Sequence, residues 1–154
     1  MAAEETVSGS FAFLIGKLGQ FATQRFAEQI APLGLRPRHC GVLAMLQRAD
    51  SAQLNIAAAL RVSNSVVVNM LDELEELGAV RRVREVDRRR HRIELTDHGR
   101  TLASEAARIS HQLDEELLAP LTAAQVPALR KALASLAAAH GLPGGRRAPT
   151  HGGL

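Results

Sequence analysis

The stretch from Arg61 to Gly99 reads RVSNSVVVNMLDELEELGAVRRVREVDRRRHRIELTDHG, and its pattern decides the fold. Its first half spaces apolar residues three and four positions apart, as on one face of an α-helix. These residues are Val67, Met70, Leu71, Leu74 and Leu77. Ser63 is suited to cap the start of this helix, and Gly78 is suited to end it in a left-handed conformation. The pattern predicts a helix that packs one face and presents the other.

The second half of the stretch predicts a β-hairpin. The β-branched valines and the alternating apolar residues that follow are typical of two short strands. These residues are Val80, Val83, Val86, Ile93 and Leu95. Between positions 81 and 92 there are seven arginines and two carboxylates, hence a formal charge of +5 on a chain whose net charge is +3. The positive charge is therefore concentrated on the hairpin, whereas Asp72, Glu73, Glu75 and Glu76 are expected to form a solvated acidic face on the helix.

A capped helix followed by a basic hairpin is the arrangement of a winged helix-turn-helix. In that arrangement the helix enters the major groove of duplex DNA and the hairpin contacts phosphates or the minor groove. The short segment QLNIAAAL at 53–60 predicts the first helix of the motif, with Arg61 and Val62 in the turn. The candidate DNA-binding residues of the recognition helix are Ser63, Asn64, Ser65, Val66, Val68 and Asn69. Those of the wing are Asp87, Arg88, Arg89 and Arg90.

These motifs resemble the MarR (multiple antibiotic resistance regulator) family. The resemblance is carried by VSNSVVVNMLDELEELGAV at 62–80, DRR at 87–89 and IELTDHG at 93–99, and it extends from Phe11 to Leu136. It implies a homodimeric transcriptional regulator with a small-molecule effector, often an aromatic carboxylate or a phenol, bound between the dimer helices and the winged domain. One feature departs from the family: the groove face carries asparagine, serine and valine where such recognition helices often carry arginine or threonine.

The flanking segments predict helices with apolar stripes of their own. Ser8 or Ser10 is suited to cap an N-terminal helix, whose stripe is Phe11, Leu14, Ile15, Leu18, Phe21, Ala22 and Ile30. Gly16 and Gly19 inside this helix indicate either a close helix approach, which is the favoured interpretation, or room for a ligand. Thr96 is suited to cap a long helix that ends near Pro120, and Thr122 with Gln125 forms a capping box for a last helix. Because the winged domain does not need both stripes for its own core, we expect them to form a two-fold dimer interface.

The predicted fold is mainly α with a small β-hairpin wing, a winged helix-turn-helix domain plus a helical dimerisation region from both termini. The predicted parts are an N-terminal dimerisation helix at 8–34, the DNA-binding domain at 35–99, C-terminal dimerisation helices at 100–140 and a disordered Gly/Pro-rich tail at 141–154.

Composition narrows the classes of function. The 154 residues, 46% of them hydrophobic, are enough for one core of ordinary size. Four Phe with no Tyr or Trp offer few stacking platforms for single-stranded nucleic acid. We find no phosphate loop, nucleophile elbow or metal-ligand spacing, so we expect neither an enzyme nor a cofactor or metal. The sequence has no secretory signal pattern and no apolar run of ~20 residues, so we expect a cytoplasmic protein with no membrane partner.

The sequence leaves open which signal, a small-molecule effector or an oxidant, such a regulator would respond to. Lys17, Arg38 and His39 are the cationic candidates for binding an anionic effector, although each can equally be an exposed side chain. Cys40, the single cysteine, is favoured as a buried structural residue over a thiol sensor. Two other functions remain: a winged helix that binds protein, favoured if the groove face is too apolar at Val66 and Val68, and a redox or metal sensor acting through Cys40.

Overall fold

A computed structural model describes residues 6–84, 86 and 91–142 of the chain. The helices are α1 (Phe11–Ile30), α2 (Pro37–Arg48), α3 (Gln53–Leu60), α4 (Asn64–Glu76), α5 (Asp97–Leu118) and α6 (Gln125–Ala139). The strands are β1 (Ser51–Ala52), β2 (Val80–Arg84) and β3 (His91–Leu95). The predicted fold class, mainly α with a small β-hairpin, is confirmed.

The chain divides into two compact units, Met1–Leu113 and Asp114–Leu154. The first unit holds the hydrophobic core. Its most deeply buried side chains come from the end of α1 and from α2, α3, α4 and β3, and they are Ile30, Val42, Leu43, Ile56, Val67, Leu71, Leu74 and Ile93. The predicted apolar face of α4 is thus the face that packs, with Met70 also buried and Leu77 half-buried against the same core.

The sheet has the strand order β1-β3-β2, and both pairings are antiparallel. In the hairpin Val80 is opposite Leu95 and Arg84 is opposite His91. Strand β1 (Ser51–Ala52) has no counterpart in the elements predicted from the sequence. Ser51 pairs with Ile93 on the outer edge of β3. A strand of two residues has no periodicity of its own, so only its partner strand reveals it.

Side-chain caps fix the helix ends close to where the sequence predicts them. Ser10 Oγ accepts a hydrogen bond from the Phe13 amide at the start of α1, at 3.2 Å. Ser63 Oγ accepts one from the Val66 amide at the start of α4, at 3.4 Å. Beyond the last turn of α4, Gly78 takes the left-handed conformation with φ +75°. The predicted bounds of the recognition helix are therefore confirmed.

The last helix follows its predicted capping box. The Thr122 amide donates to Gln125 Oε1 at 2.9 Å, and the Gln125 amide donates to Thr122 Oγ1 at 3.3 Å. Helix α6 itself begins at Gln125, so Pro127 lies in its first turn. The regular helix thus begins at the end of the capping box, since Pro127 has no amide hydrogen to continue the bonding that the Val126 amide makes to the Thr122 carbonyl at 3.3 Å.

A tight joint connects α4, β2 and α5. Thr96 Oγ1 donates a hydrogen bond to the Gly78 carbonyl at 2.5 Å and accepts one from the Gly99 amide at 2.9 Å. Gly99 is packed so closely that a Cβ added to it would lie 1.9 Å from the Ala79 carbonyl oxygen. Only glycine permits this close approach. In the sequence TDHG at 96–99, Gly99 is therefore required for packing, in addition to the role of the segment as the start of a helix.

The predicted apolar stripes of the terminal helices lie largely exposed. On α1, Phe11 is 85% exposed and Leu18 is 64% exposed. On α6, in the second unit, Leu129, Leu133 and Leu136 are exposed as well. The expected close approach at Gly16 and Gly19 does not occur among the residues that the structure describes, because a Cβ at either position would meet none of their atoms within 4 Å. Within residues 6–84, 86 and 91–142, no single helix is long and apolar enough to span a membrane; α3 and α4 pass that test only as a pair bent by 114°.

Candidate nucleic-acid interface

Helices α3 and α4 form the helix-turn-helix. The two helices are bent by 114° at residues 61–63, which is within the usual range for this motif. Arg61 takes a left-handed conformation in the turn, with φ 54° and ψ 43°. The Val62 amide then donates to the Ala57 carbonyl at 3.2 Å, which closes α3. The predicted turn at Arg61 and Val62 is confirmed.

The candidate recognition residues occupy the exposed first part of α4. Those exposed are Ser63, Asn64, Ser65, Val66 and Asn69, and Val68 is half-buried. Residues at the N-terminus of the second helix are the ones that meet base edges in this motif. The free amides of a helix N-terminus also favour a nearby phosphate. The geometry therefore suits the predicted role, and contact of these residues with bases stays a prediction.

The polar groups of this first turn are largely bonded to one another. Ser63 Oγ lies 3.0 Å from Ser65 Oγ, in addition to capping the Val66 amide. Asn64 Oδ1 accepts a hydrogen bond from Gln53 Nε2 at 3.0 Å. The contact between Gln53 and Asn64 could not be predicted from the sequence, because the spacing of two amides eleven residues apart does not indicate a contact across the turn.

The basic hairpin is partly neutralised by carboxylates of the chain. Arg82 Nη2 lies 2.6 Å from Asp72 Oδ1 on α4, and Arg82 Nη1 also donates to Glu75. Glu94 binds Arg81 at 2.9 Å and Arg92 at 2.5 Å. The positive field of the described part of the hairpin is therefore weaker than the formal charge suggests. The wing-tip candidates Asp87, Arg88, Arg89 and Arg90 lie outside the described residues.

The acidic face of α4 is not the purely solvated surface that the sequence predicts. Besides the pairs with Arg82, Glu73 accepts hydrogen bonds from Arg38 Nη2 at 2.5 and 2.8 Å. It also accepts one from His39 Nε2 at 2.5 Å. The guanidinium of Arg38, and then the imidazole of His39, hold the pKa of Glu73 below its usual value. The contact is missed by sequence reasoning because it joins residues 34 and 35 positions apart.

Two of the three cationic ligand candidates belong to this cluster. His39 is 3% exposed, and its Nδ1 accepts a hydrogen bond from the Arg36 amide at 3.0 Å. The ring proton is therefore on Nε2, the atom that donates to Glu73. Lys17 lies on the exposed surface of α1 with its Nζ 5.7 Å from the centre of the Phe13 ring. Arg38 and His39 are thus already engaged within the chain, and a ligand role for the three residues stays a prediction.

A largely apolar cavity of about 250 Å³ lies between α1, α2 and α5 in the first unit. Its lining consists of Phe26, Cys40, Leu43, Ala44, Gln47, Ala103, Ala106, Ala107 and Ser110. Burial raises the pKa of the Cys40 thiol to about 11. Among residues 6–84, 86 and 91–142, no three His, Cys, Asp or Glu side chains are grouped as a metal site would require.

Comparison with known proteins places this architecture among transcriptional regulators. No family model matches the chain. A MarR-family transcriptional regulator from Rhodococcus sp. RHA1 is 27% identical and superposes with a TM-score of 0.77 over 86% of this chain and 96% of its own. The transcriptional repressor CouR bound to a 23-mer DNA duplex is 28% identical, with a TM-score of 0.78 over 89% of this chain and 99% of its own. CouR from Rhodococcus jostii RHA1 bound to p-coumaroyl-CoA is 27% identical, with a TM-score of 0.73 over 86% of this chain and 95% of its own.

Proposed function

We infer that this chain, which belongs to the MarR family of winged helix-turn-helix transcriptional regulators, is a repressor that binds double-stranded DNA and is released by a small molecule. The observation that carries the inference is the pair α3 and α4, bent by 114° with the exposed start of α4 free to enter a major groove. A repressor of the same fold, CouR, has been solved on a DNA duplex. The proposal gives the chain no catalytic role.

The hairpin is proposed as the wing that holds the DNA backbone. Arg81, Arg82 and Arg92 are bound by carboxylates of the chain, so they have little charge to offer a phosphate. Arg84 is exposed at the end of β2, and the arginines at 88–90 follow it in the sequence. We assign the phosphate or minor-groove contacts to these four, and we propose that Asp87 orients Arg89 or a neighbouring arginine through a charge-assisted hydrogen bond.

The regulator is proposed to act as a homodimer. Exposed apolar side chains on α1 and on α6 supply two stripes that the core of the chain does not use. Burying them against a second copy would remove several large side chains from water. A two-fold dimer would also present two recognition helices to a two-fold operator. The proposed parts remain those of the sequence interpretation, with dimerisation at 8–34 and 100–140 and DNA binding at 35–99.

The cavity beside Cys40 is the proposed effector site. Its lining is mainly apolar, with Gln47 and Ser110 as hydrogen-bonding groups, as expected for a pocket that binds a small aromatic molecule. The p-coumaroyl group of the ligand in the CouR complex is a phenol, which supports a phenolic effector here. At about 250 Å³ the cavity suits one substituted ring rather than a whole coenzyme A ester. Arg38 and His39 do not line this cavity, so they can remain bound to Glu73 when an effector occupies it.

A salt titration tests the DNA-binding proposal. Fluorescence anisotropy would follow the intact protein on a duplex taken from the DNA flanking its gene and on a random duplex, at several salt concentrations. Replacing Arg88 and Arg89 by Ala removes four arginines per dimer. The slope of log K against log[salt] should then fall by about 0.9 for each phosphate that the variant no longer neutralises, up to ~3.6, with weaker binding to both duplexes.

The matched control removes the same number of arginines from sites that already have a partner. Arg81→Ala with Arg108→Ala fits, because Glu94 binds Arg81 and Glu105 binds Arg108 at 3.0 Å. This variant should keep most of the slope of the wild type. If the wing variant keeps its slope and its affinity for random DNA, the wing is not on the DNA. If the wild type binds neither duplex in a salt-dependent way, the proposal fails and the alternative of a winged helix that binds protein is favoured.

A further inference from the structure

The hydrogen-bonding groups in the first turn of α4 are partly engaged with other groups of the chain. Ser63 Oγ and Ser65 Oγ are paired with each other, and Ser63 Oγ also caps the Val66 amide. The Asn64 oxygen is occupied by Gln53 Nε2. No arginine or lysine lies anywhere in α4. The bidentate arginine-to-guanine contact, the commonest specific contact in the major groove, is therefore not available from this helix.

Val66 is the aliphatic group that this turn presents to solvent. It is 40% exposed, whereas Val67, the next residue, is fully buried in the core. Helix propensity does not favour a valine at this site, because β-branched side chains lose rotamer freedom in a helix. Its isopropyl group lies in the first turn of the recognition helix, where side chains meet base edges.

We propose that α4 recognises its half-site mainly through the C5 methyl group of a thymine, and that Val66 is the residue that contacts it. The inference rests on the proposed function and specifies the DNA that this site would select. Among the four bases, only thymine presents an apolar group in the major groove. Contact with Val66 would remove both that methyl group and the exposed part of the isopropyl group from water.

Gln53 is a positioning residue for a second contact. Because the Asn64 oxygen accepts from Gln53, the Asn64 side chain has its NH₂ group to offer to the groove. An NH₂ donor matches the acceptors of guanine, of adenine N7 and of thymine O4, and it does not match the amino group of cytosine. The preferred half-site thus combines a thymine methyl with a neighbouring acceptor edge and disfavours cytosine at the base that meets Asn64.

A cycle of protein and DNA substitutions tests the role of Val66. The duplex would first be selected from a random library by the intact wild-type protein. Each thymine of a half-site would then be replaced in turn by deoxyuridine, which removes the methyl group alone. For the wild-type protein, replacing the thymine at one position should weaken binding about fourfold per half-site, which is the effect of losing one buried methyl group. For Val66→Ala the same replacement should have no effect.

Leu54→Ala is the control, since Leu54 is an aliphatic side chain of the helix-turn-helix that is 70% exposed on α3. This variant should keep the uridine penalty of wild type. The proposed thymine contact would be overturned if deoxyuridine weakened binding equally for wild type and Val66→Ala. It would also be overturned if deoxyuridine at every thymine position left the affinity of the wild type unchanged. Failure to select any duplex would instead overturn the proposed function, so the two failures are distinguishable.

The selection also tests Gln53. With Gln53→Ala the Asn64 amide is released, and its oxygen can turn to the groove to accept from a cytosine amino group. The base preference at one half-site position should then relax by about tenfold toward cytosine. A merely structural role of Gln53 would weaken binding to all sequences alike. An unchanged preference at every position would overturn the positioning role.

Discussion

His39 on α2 donates a hydrogen bond through Nε2 to Oε2 of Glu73 on α4, with 2.5 Å between the two atoms. The histidine is buried, and its other ring nitrogen accepts from the Arg36 backbone. The recognition helix is therefore fixed to the domain by a polar contact in its middle as well as by its apolar face. Glu73 lies on the side of α4 that is turned to α2, so the contact sets the direction in which the exposed residues of α4 point.

Removing this acceptor should destabilise the fold. Glu73→Ala leaves the buried Nε2–H of His39 without its carboxylate, which costs about 1–3 kcal/mol in the free energy of unfolding. Glu76→Ala, at an exposed position on the same helix, should change it by less than about 0.5 kcal/mol. Urea denaturation of wild type and both variants gives the comparison. Equal stabilities of the two variants would show that the contact contributes nothing.

The same contact predicts a pH dependence. Arg38, and then His39, lower the pKa of Glu73 from its ordinary 4.5, so the folded state binds its proton less readily than the unfolded chain does. A group of this kind stabilises the fold fully above its unfolded pKa, and the contribution disappears as the pH falls through the folded value. The stability difference between wild type and Glu73→Gln should therefore be constant from pH 7 to about 5 and shrink below pH ~4.5. A difference that grows on acidification would contradict the assigned sign.

Gly99 should not tolerate a side chain. Its added Cβ would lie 1.9 Å from the Ala79 carbonyl oxygen, which is backbone and cannot swing away. Gly99→Ala must shift either α5 or the start of β2, and we expect a loss of about 3 kcal/mol or more in thermal or urea unfolding. Gly16→Ala is the comparison, because a Cβ there meets no atom of the described residues within 4 Å. A loss with Gly16→Ala as well would indicate close approach of a second subunit at α1.

Local pattern explains what the sequence could predict. The buried face of α4 repeats with the period of a helix, and β3 alternates with the period of a strand, so both follow from neighbouring residues. Ser63, Thr96 and Thr122 could be identified as caps for the same reason, since each hydroxyl accepts from an amide three residues on.

Contacts between elements could not be predicted in this way. The partners of Glu73 and of Arg82 depend on how α4 packs on α2 and next to β2, which no local period records. Strand β1 forms because it pairs with the free edge of β3. The Gln53–Asn64 contact forms because the angle between α3 and α4 brings the two side chains together. The interpretation of the acidic face and of the hairpin charge treated these side chains as independent of one another, and it therefore missed the ion pairs that Glu73 and Arg82 make.

Cys40 should react slowly with thiol reagents and oxidants. Burial raises its pKa to about 11, so the thiolate fraction at pH 7 is about 10⁻⁴. Alkylation by iodoacetamide at pH 7 should be roughly three-hundredfold slower than that of an unperturbed cysteine, whose pKa is about 8.5. Cys40→Ser should leave the response of DNA binding to peroxide as it is in wild type. Rapid alkylation of the folded protein, or an oxidant effect that the variant abolishes, would favour the redox sensor instead.

The dimer interface is open to a direct test at α1. Leu18 is exposed on the apolar stripe of this helix, and a carboxylate there would have to be buried without a partner if the stripe packs against a second copy. Leu18→Glu should therefore shift the mass measured by light scattering from twice 16.5 kDa toward 16.5 kDa, and Leu133→Glu on α6 should do the same. Leu54→Glu, which adds the same charge at an exposed leucine of α3, should leave the dimer intact. Circular dichroism would establish that each variant is folded.

A folded Leu18→Glu protein that remains dimeric at micromolar concentration would place the dimer interface elsewhere. A wild-type protein that is monomeric would instead show that the proposed function does not involve a dimer.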